Sequence, residues 1–474
     1  MLFTSIPFVI LVITTFILYY LPALARIQIL ILIVASFVFY AYSKPWLLSI
    51  LVTSCSVNAI SSFGIYKSNS LTTQRWWAFL GVAVNLGMLL FFKYSKLLYL
   101  TLGGELQNLQ GGGSFLLTIQ LPLGISFFTF QGISLVVDTF RWKQNDAHMS
   151  FVSDNFWLHF YNTTFFKAFF PQLIAGPIVK AHQFLPQISR KVFSAVQWDA
   201  ALNMLVTGYF LKMVIADNLK DQTFWIRPPY FIGFSNFNLV GMLFGYSMQI
   251  FADFAGYSLI AMGLAKLFGY HLPQNFRFPY ISRTFSEFWT RWHLSLSMWL
   301  REYLYIPLGG NRHGAMRTYL NLFAVMFLGG LWHGAGWNYA LWGTFHGGAL
   351  ALERFFHGGK SETDPPWPMV ALKMLLVFSL VTLAWLLFTL PHFADVVSYL
   401  KAMVGNAHLP TGKRMTILIA LYSLPVLLYH AYHLHISRNP DSSIIRWRFI
   451  ANGIMLFLIV VNSGGSGDFI YFQF

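Results

Sequence analysis

Two stretches of this chain decide its fold class and point to its chemistry: RWHLSLSMWLREYLYIPLGG at residues 291–310 and LGGLWHGAGWNYALWG at residues 328–343. Each places a histidine among tryptophan, glycine and long apolar side chains. An ionisable side chain in apolar surroundings costs free energy, and in membrane proteins it usually marks a functional site. His293 and His333 are therefore the first candidates for catalytic residues.

The rest of the sequence is typical of a membrane protein. Of 474 residues, 56% are hydrophobic and 10% are charged, and the mean hydropathy is +0.57. Soluble domains carry about 25% charged residues, and their apolar residues form stripes rather than whole blocks. Blocks near the span length recur here, which predicts an all-α polytopic membrane protein with roughly eleven transmembrane helices and several re-entrant or interfacial helices.

The chain is expected to form a single membrane domain over residues 1–474. Residues 1–137 would supply the N-terminal spans, residues 138–356 a catalytic core with re-entrant segments, and residues 357–474 the C-terminal spans. Within the core, FFPQLIAGP at 169–177 has two prolines in an apolar run, which predicts a broken segment.

The charge distribution gives an orientation. Lys and Arg number 31 against 16 Asp and Glu, a net charge of +15. Residues 273–317 hold six arginines and two glutamates, which predicts a cytoplasm-facing stretch at the lipid bilayer. Basic residues are scattered between apolar blocks, so a nucleic-acid partner is not expected. The single cysteine, Cys55, excludes an intrachain disulfide.

Spacing within the motifs assigns side chains to faces. A helix over the first motif would place His293, Ser297 and Arg301 on one face and an aromatic row, which includes Trp292, on another. In the second motif Trp332 and Trp342 would provide apolar walls around His333.

Desolvation there would keep the His333 imidazole neutral, as a general base requires. The alternative is a packing histidine bonded to a carbonyl group, and for His293 it is an interfacial histidine beside Arg291. His346 shares a helical face with Asn338 and Trp342. It would either orient His333 or cap a polar stripe.

Other chemistries lack support in the sequence. His430, His433 and His435 form a cluster without a neighbouring acidic or cysteine ligand, so no metal is expected. The zinc-hydrolase, P-loop and nucleophile-elbow motifs are absent. Asp138, Asp217 and Asp253 lie near apolar blocks and could form a proton or ion pathway, but local turn or ion-pair roles are favoured.

Five stretches together resemble the membrane-bound O-acyltransferase family, and within it the bacterial branch that O-acetylates polysaccharides of the alginate or cellulose type. They are the two histidine motifs, LPLGISFFTFQ from Leu121, FFPQLIAGPIVK from Phe169 and FIYFQF from Phe469. The resemblance implies a helical fold around a central funnel. It places the family's catalytic histidine on His333 and the second active-site position on His293, with Arg291 and Trp292 at the cytoplasmic entrance.

The resemblance also implies the reaction and its partners. Acetyl would pass from cytoplasmic acetyl-CoA, the donor substrate, to a hydroxyl presented from the periplasmic side of the bacterial inner membrane. A separate periplasmic or membrane-anchored acetyltransferase and a polysaccharide synthase complex are the expected partners. Substrate or CoA contacts are expected from Arg291, Trp292, Arg301, Trp332, Asn338 and Trp342.

Three alternatives remain open at this stage. The first is transfer of D-alanyl or another acyl group to a cell-wall polymer. The second is a polysaccharide or lipid transporter, although transporters more often show an inverted repeat, and none is evident here. The third is a scaffold for a synthase complex, in which both histidines would be freely replaceable.

Overall fold

The computed structural model describes residues 1–102, 121–145, 149–174, 176–357, 366–439 and 447–465. The FIYFQF stretch and the glycine-rich run 111–113 lie outside them. These described residues form helices and connecting loops, without a β-strand, as predicted. The α-helices are α1 Ile6–Tyr20, α2 Gln28–Ala41, α3 Leu47–Lys67, α4 Leu71–Leu89, α5 Ser95–Thr101, α6 Ile125–Gln144, α7 Phe156–Ala168, α8 Phe170–Leu173, α9 Ala181–Phe184, α10 Trp198–Tyr209, α11 Asp217–Thr223, α12 Asn236–Leu267, α13 Phe285–Trp289, α14 Leu294–Leu300, α15 Gly314–His333, α16 Trp337–His357, α17 Trp367–Thr389, α18 Phe393–Gly405, α19 Lys413–Arg438 and α20 Arg448–Val461.

Seven helical stretches in this part of the chain are long and apolar enough to cross a membrane, so the protein is a multi-pass membrane protein. They are Pro22–Ala41, Leu47–Lys67, Leu71–Thr101, Trp198–Ile226, Asn236–Leu267, Trp367–Thr389 and Lys413–Arg438. Ile6–Tyr20 and Arg448–Val461 are shorter apolar helices. The expected count of roughly eleven is higher because several apolar blocks form shorter or less apolar helices.

The chain divides into two compact units, one of Met1–Leu205 with Ile260–Pro273 and one of Val206–Leu259 with Gln274–Phe474. In the first unit α3 packs against α4, α6 and α7. Buried polar groups join these helices: the Asn58 and Asn85 amides bond to each other, and Lys167 Nζ donates to Ser54 Oγ at 2.5 Å. The segment predicted to be broken does break, at Phe169, where α7 ends and the buried four-residue α8 begins.

The second unit contains both histidine motifs. Its centre is the antiparallel hairpin of α15 and α16, with α17 packed on α16. The hairpin is tight because glycines face each other: a Cβ on Gly343 would lie 2.1 Å from the Met326 carbonyl oxygen, and one on Gly330 2.2 Å from that of Tyr339. At the other end of α16, Glu353 accepts the Phe285 N–H at 2.6 Å and so fixes the start of α13.

Candidate active site

His293 occupies a turn rather than a helix, which corrects the predicted helical face. Its backbone is left-handed (φ 44°, ψ 54°), and α14 begins only at Leu294. Histidine is one of the few residues other than glycine that recur in this region, and strained backbone of this kind clusters at active sites. The Leu294 N–H donates to the Asn275 carbonyl at 2.9 Å, and Ser295 Oγ donates to Asn275 Oδ1 at 2.6 Å. Two bonds to Asn275 therefore hold the chain directly after the strained residue.

His333 is the last residue of α15, and the chain leaves the helix at Gly334 in an extended conformation. Its side chain is buried, with 3% of the residue exposed. Three aromatic rings surround the imidazole: the ring centroids of Trp332, Trp342 and Phe388 lie 5.1, 5.2 and 5.4 Å away. Two of these walls, Trp332 and Trp342, are the predicted ones.

The structure brings the two candidate histidines together. Their ring centroids are 6.4 Å apart, and Trp332 lies against both rings. Phe254 also packs on His293, with the two ring centroids 4.7 Å apart. A reacting oxygen between two imidazoles at this separation would be within hydrogen-bond reach, roughly 3 Å, of both rings. Two residues 40 positions apart in the sequence thus form one enclosed site.

Burial determines the charge state of the His293 ring. Burial lowers the pKa of His293, which lies outside the seven apolar spans, to about 3. An imidazole with so low a pKa is neutral and a weak base near neutral pH, and its N–H is suited to polarising a carbonyl group. The His293 ring is therefore suited to the donor role, and the general-base role stays a prediction for His333.

Arg291 lies in a basic pocket of about 340 Å³ that also involves Arg283, Trp367 and Arg438. Its guanidinium is held by Glu287, with Arg291 Nη2 2.8 Å from the carboxylate, and it also donates to the Arg277 carbonyl at 3.1 Å. Guanidinium groups bind phosphate well, so this pocket fits the phosphates of a nucleotide-like donor.

The other residues predicted to contact the substrate or CoA lie in three different surroundings. Trp292 is buried against Trp385, whose ring stacks on Trp342. Asn338 donates to the Leu390 carbonyl at 2.7 Å and lines a larger cavity of about 720 Å³. Arg301 is exposed and lines neither this cavity nor the basic pocket.

Comparison with known proteins identifies the family. The model of the membrane-bound O-acyltransferase family matches residues 113–390, more than half of the chain. The chain is 36% identical over 398 residues to a probable alginate O-acetylase of Pseudomonas aeruginosa, covering 82% of this chain and 72% of that protein. This chain is a membrane-bound O-acyltransferase.

Two further relatives show the breadth of this family. A peptidoglycan O-acetyltransferase of Helicobacter pylori is 36% identical over 393 residues, 79% of this chain and 73% of that protein. A teichoic acid D-alanyltransferase of Bacillus subtilis is 28% identical over 247 residues, 49% of this chain and 59% of that protein. As a member of the O-acyltransferase family, the chain is an enzyme that takes an acyl group from a donor.

Asp217 and Asp253 form ion pairs, one of the roles that the sequence favoured, but the sequence did not identify their partner, Lys212. Lys212 Nζ lies 2.7 Å from Asp217 Oδ1 and 2.8 Å from Asp253 Oδ1, and all three side chains are buried. Lys212 and Asp217 are five residues apart, and residues Phe210–Ala216 form a π-helix, in which positions i and i+5 are neighbours. A search at α-helical spacing does not detect that pairing, and Asp253 comes from a different helix.

The structure also shows the surroundings of two weaker candidates, His346 and Asp138. His346 is fully buried, and its ring contacts that of Trp342 at 4.7 Å. Because Trp342 also contacts His333, one tryptophan ring connects His346 to the site. Of the other acids, Asp138 pairs with His182 at 2.8 Å. Within the described ranges no group of three His, Cys, Asp or Glu side chains is arranged to hold a metal ion.

Proposed function

We propose that this O-acyltransferase moves acetyl from cytoplasmic acetyl-CoA to a hydroxyl of an exported polysaccharide at the bacterial inner membrane, with a periplasmic or membrane-anchored acetyltransferase and a polysaccharide synthase as partners. One observation carries the proposal: His293 and His333, supplied by separate motifs, meet in one aromatic enclosure. The relatives named for O-acetylation of alginate and of peptidoglycan support acetyl as the group and a polysaccharide as the acceptor.

The proposed chemistry assigns one role to each histidine. The His333 imidazole removes the proton of the acceptor hydroxyl as its oxygen attacks the thioester carbonyl carbon. The His293 N–H donates to the carbonyl oxygen, where negative charge develops. The carbon–sulfur bond then breaks, and the departing thiolate takes the proton from the His333 imidazolium. Arg291 and its neighbours in the basic pocket would hold the CoA phosphates.

Acetyl transfer from radiolabelled acetyl-CoA by the purified protein in nanodiscs, with membrane extract as the source of acceptor and partner, tests this function. His333→Gln should reduce the rate at least about 100-fold, the usual contribution of a general base. His430→Gln is the matched control because His430 is also buried in the second unit, where it stacks on Tyr280 instead. Equal rates in wild type and in a folded His333→Gln protein would remove the assignment.

A second candidate function is D-alanyl transfer to a cell-wall polymer, which the similarity to the teichoic acid D-alanyltransferase favours. The same assay with a D-alanyl donor in place of acetyl-CoA separates the two. Transfer of D-alanyl alone would replace the acetyl proposal and would leave the roles of the two histidines intact.

A further inference from the structure

The cavity of about 720 Å³ lies beside His333 and takes no part in the chemistry described above. Residues of the second unit alone line it. Gly336, three positions after His333, lies in its wall, and so does Phe388, whose ring is 5.4 Å from that of His333. Its volume falls within the range of about 300–1,000 Å³ that is usual for small-molecule sites. One aromatic ring therefore separates this cavity from the catalytic imidazole.

The Lys212 cluster forms part of the cavity wall. Lys212, Asp217 and Asp253 all line the cavity, although their side chains are 2–5% exposed. Burying charges costs free energy, and well-packed apolar residues would often stabilise the fold equally well. Charges retained on a cavity wall therefore suggest a ligand. Lysine holds the two carboxylates in place, and carboxylate oxygens accept hydrogen bonds from hydroxyl groups.

The lining also carries an excess of positive charge. Lys220 and Arg227 join Lys212, so three basic groups face two acidic ones, a formal balance of 3 − 2 = +1. Lys220 is half-buried and Arg227 is exposed, whereas the acids are buried. A ligand would therefore meet hydrogen-bond acceptors in the depth of the cavity and positive charge nearer its mouth. This arrangement favours a polyhydroxylated anion.

We propose that this cavity is the subsite for an acidic sugar unit of the acceptor polysaccharide. The sugar hydroxyls bond to Asp217 and Asp253, and the ring carboxylate pairs with Lys220 and Arg227. Tyr339, which also lines the cavity, offers an aromatic face to the sugar ring. The inference rests on the proposed function, because it specifies the chemistry of that acceptor. It favours direct entry of the polysaccharide over entry of a serine side chain from a partner protein, which would not require this charge pattern.

A binding experiment without acetyl-CoA tests the subsite separately from catalysis. The probes are an oligosaccharide of hexuronic acids and its carboxyl-reduced, neutral counterpart of the same length, titrated into the full-length protein in detergent. We expect the acidic probe to bind about tenfold more tightly, and we expect higher salt to weaken this preference.

Matched variants locate the contacts. Lys220→Gln and Arg227→Gln should each reduce the preference for the acidic probe about fivefold, whereas Lys401→Gln, an exposed lysine away from the cavity lining, should not. Asp217→Asn should weaken the binding of both probes. Asp221→Asn, which changes an exposed residue one turn later, should weaken the binding of neither. Thermal unfolding confirms that each variant is folded.

Equal binding of both probes to wild type would overturn the subsite, as would an unchanged preference in the Lys220 and Arg227 variants. Displacement of the acidic probe by an acidic serine-containing peptide would overturn it in favour of a protein acceptor. Failure of wild type to transfer acetyl in the separate assay would overturn the proposed function, whatever the binding result. Normal transfer, with an unchanged acceptor KM in the Lys220 and Arg227 variants, would overturn the subsite alone.

Discussion

His293 combines a left-handed backbone with a fully buried imidazole. Burial lowers its pKa to about 3, so the ring offers an N–H and is almost never protonated near neutral pH. A neutral donor that is already placed where charge develops stabilises the transition state without having to reorient during the reaction. We therefore expect His293 to differ in role from His333, although the two rings share one enclosure.

This difference predicts unequal responses to substitution. Because an amide N–H can also donate, His293→Gln should retain at least about tenfold more transfer activity than His293→Leu. At His333 the same amide cannot accept and return a proton, so His333→Gln and His333→Leu should be equally inactive. Rates of acetyl transfer at saturating acetyl-CoA measure both pairs. If Gln and Leu were equivalent at position 293, the donor role would be excluded.

The low pKa of His293 also predicts how stability depends on pH. Its ordinary value is 6.5 and its folded value about 3, so between these pH values the unfolded chain binds a proton that the folded protein does not. The contribution of the neutral His293 ring to the free energy of unfolding is therefore fully present above pH 6.5. It is lost as the pH falls towards 3. At pH 5 the loss amounts to up to about 2 kcal/mol.

Thermal unfolding in detergent at pH 7 and pH 5 measures this loss. The decrease in Tm on acidification should be smaller in His293→Gln than in wild type, because glutamine does not titrate. His392→Gln, which replaces an exposed histidine, should behave like wild type. A decrease of the same size in His293→Gln would show that this ring is not kept neutral by burial.

At the scale of helices, the position of the His333 ring depends on the contact between α15 and α16. Gly343 faces the Met326 carbonyl so closely that a methyl group would overlap it, whereas Gly348 on the same helix has no atom within 4 Å of an added Cβ. Gly343→Ala should therefore destabilise the protein by about 1–3 kcal/mol and separate the helices that carry Trp342 and His333. Gly348→Ala should be neutral or stabilise by up to about 1 kcal/mol.

Thermal unfolding and acetyl transfer, measured on both glycine variants, test this dependence. Gly343→Ala should lower both Tm and activity, and Gly348→Ala neither. Wild-type values for Gly343→Ala would mean that close approach of the two backbones is not what positions the site.

Helix geometry also explains which parts of the site the sequence could predict. Trp332, His333 and Trp342 were predictable because they follow one another across a short turn, and local spacing determines which rings meet. The start of α14 was not, since the motif continues the aromatic pattern through Trp292 while the backbone turns left-handed at His293. Lys212 was missed because one of its carboxylate partners lies at π-helical spacing and the other lies on a different helix, α12. The family resemblance gave the functional class, whereas the acidic and basic lining of the cavity required three-dimensional contacts.

At the scale of the whole molecule, the second unit has two chemically different ends. The antiparallel hairpin places Arg317 and Arg354 at one end and His333 at the other, as the contacts between Phe323 and Gly347 and between Gly330 and Gly343 show. α17 also extends from one end to the other. Trp367 at its start lines the basic pocket, and Thr389 at its end lines the large cavity. From Met374, which lines the basic pocket, to Phe388, which lines the large cavity, α17 rises about 21 Å, at roughly 1.5 Å per residue over 388 − 374 = 14 residues. Donor and acceptor would thus reach the histidines from opposite ends.

This arrangement predicts a topology that cysteine labelling can test. The arginine-rich end should face the cytoplasm by the positive-inside rule, which puts the large cavity on the outer side. The native Cys55 is buried, so a Cys55→Ser background leaves one reactive thiol per variant. In intact cells a membrane-impermeant maleimide should label Asp221→Cys, an exposed position next to cavity-lining Lys220, and should label Arg354→Cys only after permeabilisation. Solubilised protein should label at both positions, which controls for thiol exposure. The reverse pattern in cells would place the basic pocket outside, where acetyl-CoA is not available, and would rule out the proposed donor side.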